Sequence, residues 1–464
     1  MTTPFSTWNR RKFLKSTLSV SGSIGILGIP GIVSPAPNLG NPLSNTNIRN
    51  TANAPRLKEH SQWDQSLVAD PKGLLDLPEE LSYRVISESG ELMDDGLITP
   101  IRPDGMGVFE YDSDHLILVR NHETGDFKYG NHIDESVDPT LAYRVNMEGK
   151  ALSGGTTTIV LDKNTLNRLE IHRSLAGTVN NCAGGETPWG TWISCEESDY
   201  DDHGYAFEID PKSRHLSGFK RLTAMGRFER EAVAIDPKTS ICYQTEDHDK
   251  GLFYRFIPKT FGDLASKGKL EALKIKGFQG QTTRFLTDGM KIKTPYKVEW
   301  VPIEDPEAKK ARTLDQGAEA GAHCFNGGEG VIADVENELI YFVNKNGGRT
   351  DSGQVWKYHI PEQTIELFYD SEDPAKYWAG DNLYIAPWGD LLVCEDHDDE
   401  PCRVIGFKAN GATYTLASCP LIGDELAGLC FSPTTNTMFI NVQDAGKTLV
   451  IDGDWTAIEN FAKT

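Results

Sequence analysis

A turn, a short strand and an acidic ending recur along this chain, and this repeat limits the possible folds more than any other feature. Pro-Trp-Gly at 188–190 is followed after four residues by Cys-Glu-Glu at 195–197. Pro-Trp-Gly at 387–389 is followed, in the same register, by Cys-Glu-Asp at 394–396. Two copies of one strand with its flanking segments indicate an internal structural repeat.

Looser copies of the pattern bring the number of repeats to six. Their polar endings fall at positions 123, 197, 247, 344, 396 and 444. Three of the five spacings, 50, 52 and 48 residues, match a four-stranded propeller blade of about 40 to 50 residues. We predict an all-β protein, a six-bladed β-propeller with insertions between blades, formed by residues 71–464. The largest insertion is expected at about 258–320, and two stacked β-sandwiches are the alternative.

The predicted fold explains why acidic endings would matter. If the innermost strand of each blade carried the ending, six acidic or amide-bearing ends would converge on the central channel. Like charges in a confined site repel one another, so such a channel would need bound cations.

The composition agrees with this interpretation and excludes one class of partner. The 464 residues include 44 glycines and 24 prolines, which favour short strands and turns over long helices. A net charge of −22 would repel a phosphate backbone, so we expect no nucleic-acid partner. The same acidity suits the binding of hard cations by carboxylates. We expect a monomer.

The amino terminus predicts export. Arg10 and Arg11 are followed by Lys-Phe-Leu-Lys and by a weakly apolar run over 17–33 that is rich in serine and glycine. This is the pattern of a twin-arginine signal peptide. A transmembrane anchor of that length is the alternative, but its serine and glycine content argues against a stable one. We predict a signal peptide over 1–36, a linker over 37–70, the twin-arginine machinery as a partner, and a periplasmic or extracellular location.

The stretch over 180–197 is the first candidate site. Cys182 lies two residues before a Gly-Gly pair, and paired glycines allow close backbone approach or a positive φ. The following strand ends directly in Glu196 and Glu197, which places charge at a rim rather than in a core. A thiol and carboxylates in this arrangement indicate a metal or catalytic site. An ordinary hairpin with a buried cysteine is the alternative.

Two other segments offer candidate ligands. Glu329 is flanked by glycines at 327, 328 and 330, and Asp381 with Asn382 precedes the second Pro-Trp-Gly turn. The sequence contains no nucleotide phosphate loop, no Gly-x-Ser-x-Gly elbow and no dinucleotide fingerprint.

Several of these motifs resemble those of the PhoX-type alkaline phosphatases. The most specific one runs from Asn-Cys-Ala-Gly-Gly at 181–185 through Thr-Pro-Trp-Gly-Thr-Trp at 187–192 to Cys-Glu-Glu at 195–197. The resemblance covers most of the chain from about residue 75. Its further motifs are Asn121-His122-Glu123, Gly154-Gly155-Thr156-Thr157, Gly226-Arg227-Phe228 with Glu231, Trp300-Val301-Pro302, Glu329-Gly330, Asp381-Asn382-Leu383, Cys394-Glu395-Asp396 and the ending from Ala427 to Gln443.

The resemblance implies an exported phosphoric monoester hydrolase that acts on a small phosphate ester. It implies a six-bladed propeller whose channel holds iron (Fe³⁺) and calcium ions. Among the catalytic residues, Cys182 would bridge the irons, with Glu231 and Glu329 as iron ligands. Glu197 and Asp247 would be calcium ligands. We add further candidate ligands because their strand ends point the same way: Glu123, Asp381, Asn382 and Glu395.

One departure from the family pattern concerns the substrate. In the family, the segment before Glu329 carries an arginine that holds the substrate phosphate, but residues 326–328 here read Asn-Gly-Gly. Arg230 and Arg227 are candidates to replace it in substrate binding, and Arg349 is a third. Loss of a bidentate donor weakens phosphate binding. A metal-containing propeller that hydrolyses a phosphodiester or a lactone, and a non-catalytic calcium-binding propeller, are therefore the alternatives.

Overall fold

The computed structural model describes residues 67–125, 133–216, 218–278, 280, 282 and 290–462. The predicted signal peptide over 1–36, with its paired arginines, lies outside the described residues, as does most of the linker predicted over 37–70. No helix in the described ranges is long and apolar enough to cross a membrane.

Short strands predominate over helices, as the glycine- and proline-rich sequence predicts. The first thirteen strands are β1 (Leu81–Glu88), β2 (Pro103–Glu110), β3 (His115–His122), β4 (Ile133–Asp134), β5 (Ala151–Leu152), β6 (Gly154–Asp162), β7 (Arg168–Thr178), β8 (Asn181–Glu186), β9 (Trp192–Glu196), β10 (Ala206–Ile209), β11 (Arg230–Ile235), β12 (Cys242–Glu246) and β13 (Tyr254–Thr260). The remaining described strands are β14 (Asp263–Ile275), β15 (Tyr296–Pro302), β16 (Gly328–Asp334), β17 (Leu339–Asn344), β18 (Gln354–His359), β19 (Thr364–Asp370), β20 (Gly380–Ile385), β21 (Leu391–Glu395), β22 (Arg403–Phe407), β23 (Thr413–Ser418), β24 (Leu426–Phe431), β25 (Met438–Val442) and β26 (Lys447–Gly453). The helical segments of the described chain are a 3-10 turn (Thr223–Met225), α1 (Thr313–Glu319) and α2 (Thr456–Ala462).

Antiparallel strands form six successive blades, which confirms the predicted propeller. From the inside outwards they are blade 1 (β2-β3-β6-β7), blade 2 (β8-β9-β10), blade 3 (β11-β12-β13-β14), blade 4 (β16-β17-β18-β19), blade 5 (β20-β21-β22-β23) and blade 6 (β24-β25-β26-β1). Strand β15 pairs with both β14 and β19, so blades 3 and 4 belong to one continuous sheet. The small pair β4-β5 lies between β3 and β6 in the chain.

The innermost strands surround the central channel. Each contacts its two neighbours in the order β2, β8, β11, β16, β20, β24 and back to β2. Blade 6 is completed by β1, which pairs antiparallel with β26 and places Leu81 opposite Gly453. The ring is therefore closed by a strand from the early part of the described chain.

The repeat in the sequence marks the second strand of each blade, and here our expectation needs correction. The repeated strands are β3, β9, β12, β17, β21 and β25, not the innermost ones. All five residues of β9 are buried, as are all five of β21. A strand covered on both faces reads as a continuous apolar run, which makes the second strand the easiest one to recognise in the sequence.

Close approach of the innermost strands explains the paired glycines. A Cβ atom at Gly184 would lie 1.9 Å from the carbonyl oxygen of Ile193 in β9. A Cβ atom at Gly185 would lie 2.1 Å from the carbonyl oxygen of Val233 in β11. Only glycine fits at either position, so β8 can pack tightly against the next blade.

Blades 3 and 4 also share an aromatic core. The rings of Phe253 and Phe342 stack with centroids 4.2 Å apart. Large buried aromatic side chains contribute much of the apolar surface removed from water, so this contact stabilises the packing of the two blades.

The region 258–320, predicted as the largest insertion, contains strands of blade 3 and two additional elements. The end of β13 and all of β14 belong to blade 3, and β14 continues to Ile275. The elements beyond a four-stranded blade are β15 and α1.

Candidate metal centre

Each innermost strand begins with a local irregularity that re-aims one side chain. In blades 1 to 5 the strand pairs once with its neighbour, shifts register, and pairs again farther along, and in blade 6 it pairs twice before the shift, as in a β-bulge. In blades 1 to 5 the residue after the first paired one carries a carboxylate or a thiol. These residues are Asp104, Cys182, Glu231, Glu329 and Asp381. Blade 6 offers no such group there, because Ala427 and Gly428 occupy the corresponding place.

The second strands contribute a further side chain from each blade. The residue immediately after each second strand donates its N–H to the carbonyl oxygen just before the innermost strand, at 2.8 to 3.0 Å. This backbone bond fixes the strand end beside the bulge. The residues in this position are Glu123, Glu197, Asp247, Lys345, Asp396 and Gln443.

The last residue of the second strand points the other way. Successive side chains of a strand alternate between its faces, and in blades 2, 3 and 5 the last residue is a glutamate. Glu196 accepts hydrogen bonds from the N–H of Gly204 at 2.9 Å and from that of Val179 at 3.1 Å. Glu395 accepts from Arg403 Nη2 at 2.7 Å. These carboxylates hold together loops of their own blades.

Thiol and carboxylate ligand atoms gather into three groups within which they lie no more than 4.8 Å apart. The groups are Cys182 with Glu197 and Glu231, Glu231 with Glu329 and Asp381, and Asp381 with Asp396 and Glu425. Because Glu231 and Asp381 each belong to two groups, the three form one continuous cluster across blades 2 to 6. We call these seven residues the channel cluster.

Burial and mutual repulsion disfavour the ionised forms of the channel cluster. Burial raises the pKa of the Cys182 thiol well above its ordinary value, and the neighbouring carboxylates Glu231 and Glu197 raise it further. Burial likewise raises the pKa of Glu231, with repulsion from Asp381 and Glu197 adding to the effect. Burial raises the pKa of Glu329, where Asp247 and Asp381 add to the rise and Lys345 opposes it. Cations bound among these groups would favour their ionised forms.

The donor set fits metal ions. Glu329 Oε1 is buried and has no hydrogen-bond partner among the described residues, although a buried carboxylate oxygen ordinarily has one. A buried thiolate with carboxylates suits ferric iron, whereas calcium takes oxygen ligands alone. The group with Cys182 therefore suits a transition metal, and the all-carboxylate group with Glu425 suits a hard cation.

The structure brings together most, but not all, of the ligands predicted from the sequence. Cys182, Glu197, Glu231, Glu329 and Asp381 all belong to the channel cluster. Two further predicted ligands, Asp247 and Glu123, lie at second-strand ends but in none of the three groups found among the described residues. Asp247 acts on Glu329 through its charge.

Glu123 takes part in a separate network where blades 1 and 6 meet. Its Oε2 atom accepts from Arg102 Nη2 at 2.5 Å and from Gln443 Nε2 at 3.1 Å. Gln443 Nε2 also contacts Asp104 Oδ2 at 2.6 Å. The network joins the strand ends of the first and last blades.

Two predicted ligands face away from the cluster. Asn382 lines a cavity of about 690 Å³ formed by the later residues of the innermost strands, together with Glu186 and Asp334. Glu395 is bound to Arg403. Its neighbour Asp396 lies in the channel cluster, where the sequence predicts Glu395.

The arginines predicted to bind substrate are held by contacts within blade 3 and with the β9–β10 loop of blade 2. Arg230 is buried; its guanidinium donates to Gln244 Oε1 at 2.9 Å and to the Gly226 carbonyl at 2.7 Å, and it covers the Phe228 ring. Arg227 Nη2 donates to the Tyr200 carbonyl at 2.6 Å. Arg230 faces opposite to its neighbour Glu231, as strand alternation requires.

Sequence reasoning missed several residues of the site. Asp396 was visible as the second acid of a repeat ending, but the choice between it and Glu395 requires the strand register. Asp104 and Glu425 adjoin innermost strands that carry no repeated motif, so no signal marked them. Lys345 lies within an Asn-Lys-Asn ending and looked like part of a polar turn.

Comparison with known proteins agrees with this geometry. The family model described as alkaline phosphatase PhoX matches residues 64–446. No curated protein matches the sequence significantly. Among solved structures, Pseudomonas fluorescens PhoX in complex with vanadate, a transition state analogue, matches with a TM-score of 0.64 and 16% identity, over 82% of this chain and 96% of that chain. At this identity the match shows the fold.

Other solved structures match less well. An auxiliary nutrient binding protein from Bacteroides ovatus has a TM-score of 0.41 and 9% identity, over 81% of this chain and 77% of its own. A gluconolactonase from Xanthomonas campestris has a TM-score of 0.37 and 10% identity, over 81% and 91%. These scores are too low to support a functional argument.

Proposed function

The chain belongs to the PhoX family of alkaline phosphatases, and on that premise we propose that it hydrolyses small phosphate monoesters with metal ions held by the channel cluster. The observation that carries this proposal is the continuity of the cluster. One thiol and six carboxylates from five blades lie in three groups that share Glu231 and Asp381. Such a density of buried acids is unfavourable without bound cations.

We assign the ligands from the family resemblance and from donor chemistry. Cys182, Glu231 and Glu329 would hold iron, with the Cys182 thiolate as the softest donor present. Glu197 and Asp247 would hold calcium, and we add the group of Asp381, Asp396 and Glu425 as an all-oxygen site.

The chain's own residues position the ions and the substrate. When bound, the ions supply charge that neutralises the phosphoryl oxygens. The bulges fix Cys182, Glu231 and Glu329 on a closed ring of strands, and a preorganised site of this kind needs little rearrangement during reaction. The vanadate complex of the P. fluorescens protein, whose fold this chain shares, supports phosphoryl transfer as the reaction class.

Hydrolysis of p-nitrophenyl phosphate at alkaline pH tests the proposal. Protein loaded with iron and calcium should turn over this monoester, and metal-stripped protein should not. Glu231→Gln should lose turnover, whereas Glu246→Gln should keep it, because Glu246 accepts from Tyr254 Oη at 2.7 Å within its own blade. Bis-p-nitrophenyl phosphate and a lactone are assayed in parallel. Activity on one of these alone, or metal binding without hydrolysis, would instead support the alternatives considered from the sequence.

We also propose that the protein is exported by the twin-arginine route and acts in the periplasm or outside the cell. The support is the sequence of residues 1–36, which carries Arg10 and Arg11. Replacement of both arginines by lysine should retain the protein in the cytoplasm, as cell fractionation would show. Unchanged export of this variant would contradict the proposal.

A further inference from the structure

Lys345 breaks the charge pattern of the second-strand ends. Of the six side chains in this position, four are carboxylates, one is the amide of Gln443, and Lys345 is the single cation. Its side chain is largely buried, at 16% exposure. A buried ammonium in this position needs anionic partners.

The ammonium lies against the channel cluster. Lys345 Nζ forms an ion pair with Asp396 and lies 3.9 Å from Asp381 Oδ2. It also lowers the pKa of Glu329 through its charge. Lys345 therefore places a positive charge beside two of the three groups of ligand atoms. This charge belongs to the polypeptide and not to a bound ion.

A glycine packs against Lys345 beside the channel cluster. Gly327 lies two residues before Glu329, has a φ of +63°, and accepts the Lys345 N–H at 2.8 Å. A Cβ atom at Gly327 would lie 3.4 Å from Lys345 Cβ and 3.2 Å from Asn346 Nδ2. Because position 327 has no side chain, its backbone lies close against Lys345 and Asn346.

Arginines that could otherwise supply a cation have other contacts. Arg230 donates to the Gly226 carbonyl, and Arg227 donates to the Tyr200 carbonyl. Arg349 pairs with Glu372 at the surface, and Arg102 pairs with Glu123 and Asp444. The ammonium of Lys345 instead pairs with Asp396 and lies near Asp381, and both carboxylates belong to the channel cluster.

We propose that Lys345 positions the phosphate group of the substrate, a role that rests on the proposed function. When metal ions occupy the cluster, the carboxylates of Asp381 and Asp396 serve as ligands, and the ammonium donates to a phosphoryl oxygen. Lysine suits this role because it is a compact charge on a flexible stem with three donors. A monoester carries one more negative charge than a diester, so Lys345 also favours monoesters.

Replacement of Lys345 tests the role. Lys345→Met removes the charge and keeps the length of the stem, and Lys345→Arg keeps the charge. Lys357→Met is the matched control: Lys357 lies on β18 of the same blade, pairs with Glu366, and has a similar exposure of 18%. Calorimetric titration of the metal-loaded proteins with inorganic phosphate gives affinity, elemental analysis gives metal content, and p-nitrophenyl phosphate gives KM and kcat.

We expect Lys345→Met to weaken phosphate binding by about ten- to a hundredfold, the range for a hydrogen bond to a charged group. Its metal content should be unchanged, and its preference for monoester over diester should fall. Lys345→Arg should retain most of the affinity, and Lys357→Met all of it.

Other outcomes separate the two proposals. Undiminished phosphate affinity in Lys345→Met, with wild-type protein that hydrolyses p-nitrophenyl phosphate, would overturn the role of Lys345 and leave the proposed function standing. An extra cation bound by Lys345→Met, with unchanged phosphate affinity, would also overturn it and show that the ammonium replaces a metal ion. Weakened phosphate binding in Lys345→Met, with wild-type protein that lacks hydrolytic activity, would support phosphate binding by Lys345 and overturn the proposed function.

Discussion

Glu395 and Asp396 are neighbours in the chain and serve opposite sides of the same strand end. The Glu395 carboxylate binds Arg403 Nη2 at 2.7 Å and the Trp378 N–H at 2.9 Å within blade 5. Asp396 lies with Asp381 and Glu425 in the channel cluster. The pairs Glu196–Glu197 and Glu246–Asp247 repeat this division in blades 2 and 3. In each pair, the first acid forms an ion pair or holds a loop within its blade, and the second acid is a candidate ligand.

This division predicts different effects for two neighbouring substitutions. Glu395→Gln should lower the free energy of unfolding by about 3 to 5 kcal/mol, because it leaves the buried Arg403 charge without its anionic partner. Asp396→Asn should instead lower the calcium content of the folded protein. Chemical denaturation of the metal-free variants and elemental analysis of the loaded ones measure the two effects. Equal stability losses in the two variants would contradict the division.

Cys182→Ser should abolish iron binding while the propeller stays folded. A serine hydroxyl has nearly the same size as the thiol but is a poor ligand in its neutral form, so the metal loses its thiolate donor. Cys430→Ser is the control, since Cys430 is buried in the apolar core of blades 1 and 6. Iron analysis and circular dichroism measure the result. Equal iron content in the two variants would rule out Cys182 as a ligand.

Removal of metals should destabilise the protein. After chelation, the carboxylates of the channel cluster repel one another without compensation, so the melting temperature should fall. Asp381→Asn should reduce this fall, because Asp381 belongs to two of the three groups. Calorimetry before and after verified removal of iron and calcium provides the measurement. An unchanged melting temperature would show that the cluster does not depend on cations.

His323 should make the protein sensitive to acid. Burial lowers the pKa of this residue from 6.5 to about 4, so between these pH values the unfolded chain binds a proton that the folded chain does not. The part of the free energy of unfolding that depends on neutral His323 is complete above pH 6.5, and it is lost as the pH falls towards 4. Each pKa unit corresponds to about 1.4 kcal/mol, so the loss is on the order of 3 to 4 kcal/mol.

Denaturation of His323→Asn at pH 7 and pH 4.5 tests this contribution. The variant should lose less stability than the wild type between the two pH values, because asparagine does not titrate in this range. An identical loss in both proteins would show that other groups cause the acid sensitivity.

The fold was predictable because its signal is local. Turn, apolar strand and acidic ending lie within about ten residues of one another, so the second strand of each blade could be recognised from the sequence. The innermost strands were not predictable in this way, because the close approach that requires Gly185 involves the next blade. The bulges that aim Asp104 and Asp381 depend on pairing with the second strand.

The site was predictable only to within one residue at some strand ends. Side chains alternate along a strand, so an error of one position reverses the face. For this reason the sequence predicts Glu395 as a ligand although Asp396 is the residue in the cluster. It also does not single out Lys345, which directly follows Asn344. The same alternation applies to Arg230: its neighbour Glu231 faces the cluster, and the Arg230 guanidinium donates to the Gly226 carbonyl.

The closure of the ring by β1 and β26 sets the timing of assembly during synthesis. Gln443 Nε2 contacts Asp104 Oδ2 at 2.6 Å, and Leu81 pairs with Gly453, so the first and last blades meet only when the ribosome has passed residue 453. Until then the ring of blades to which Asp396 and Glu425 belong is incomplete. A nascent chain would therefore hold an incomplete set of candidate ligands, and the metal ions of the proposed centre would enter only after translation of the whole propeller.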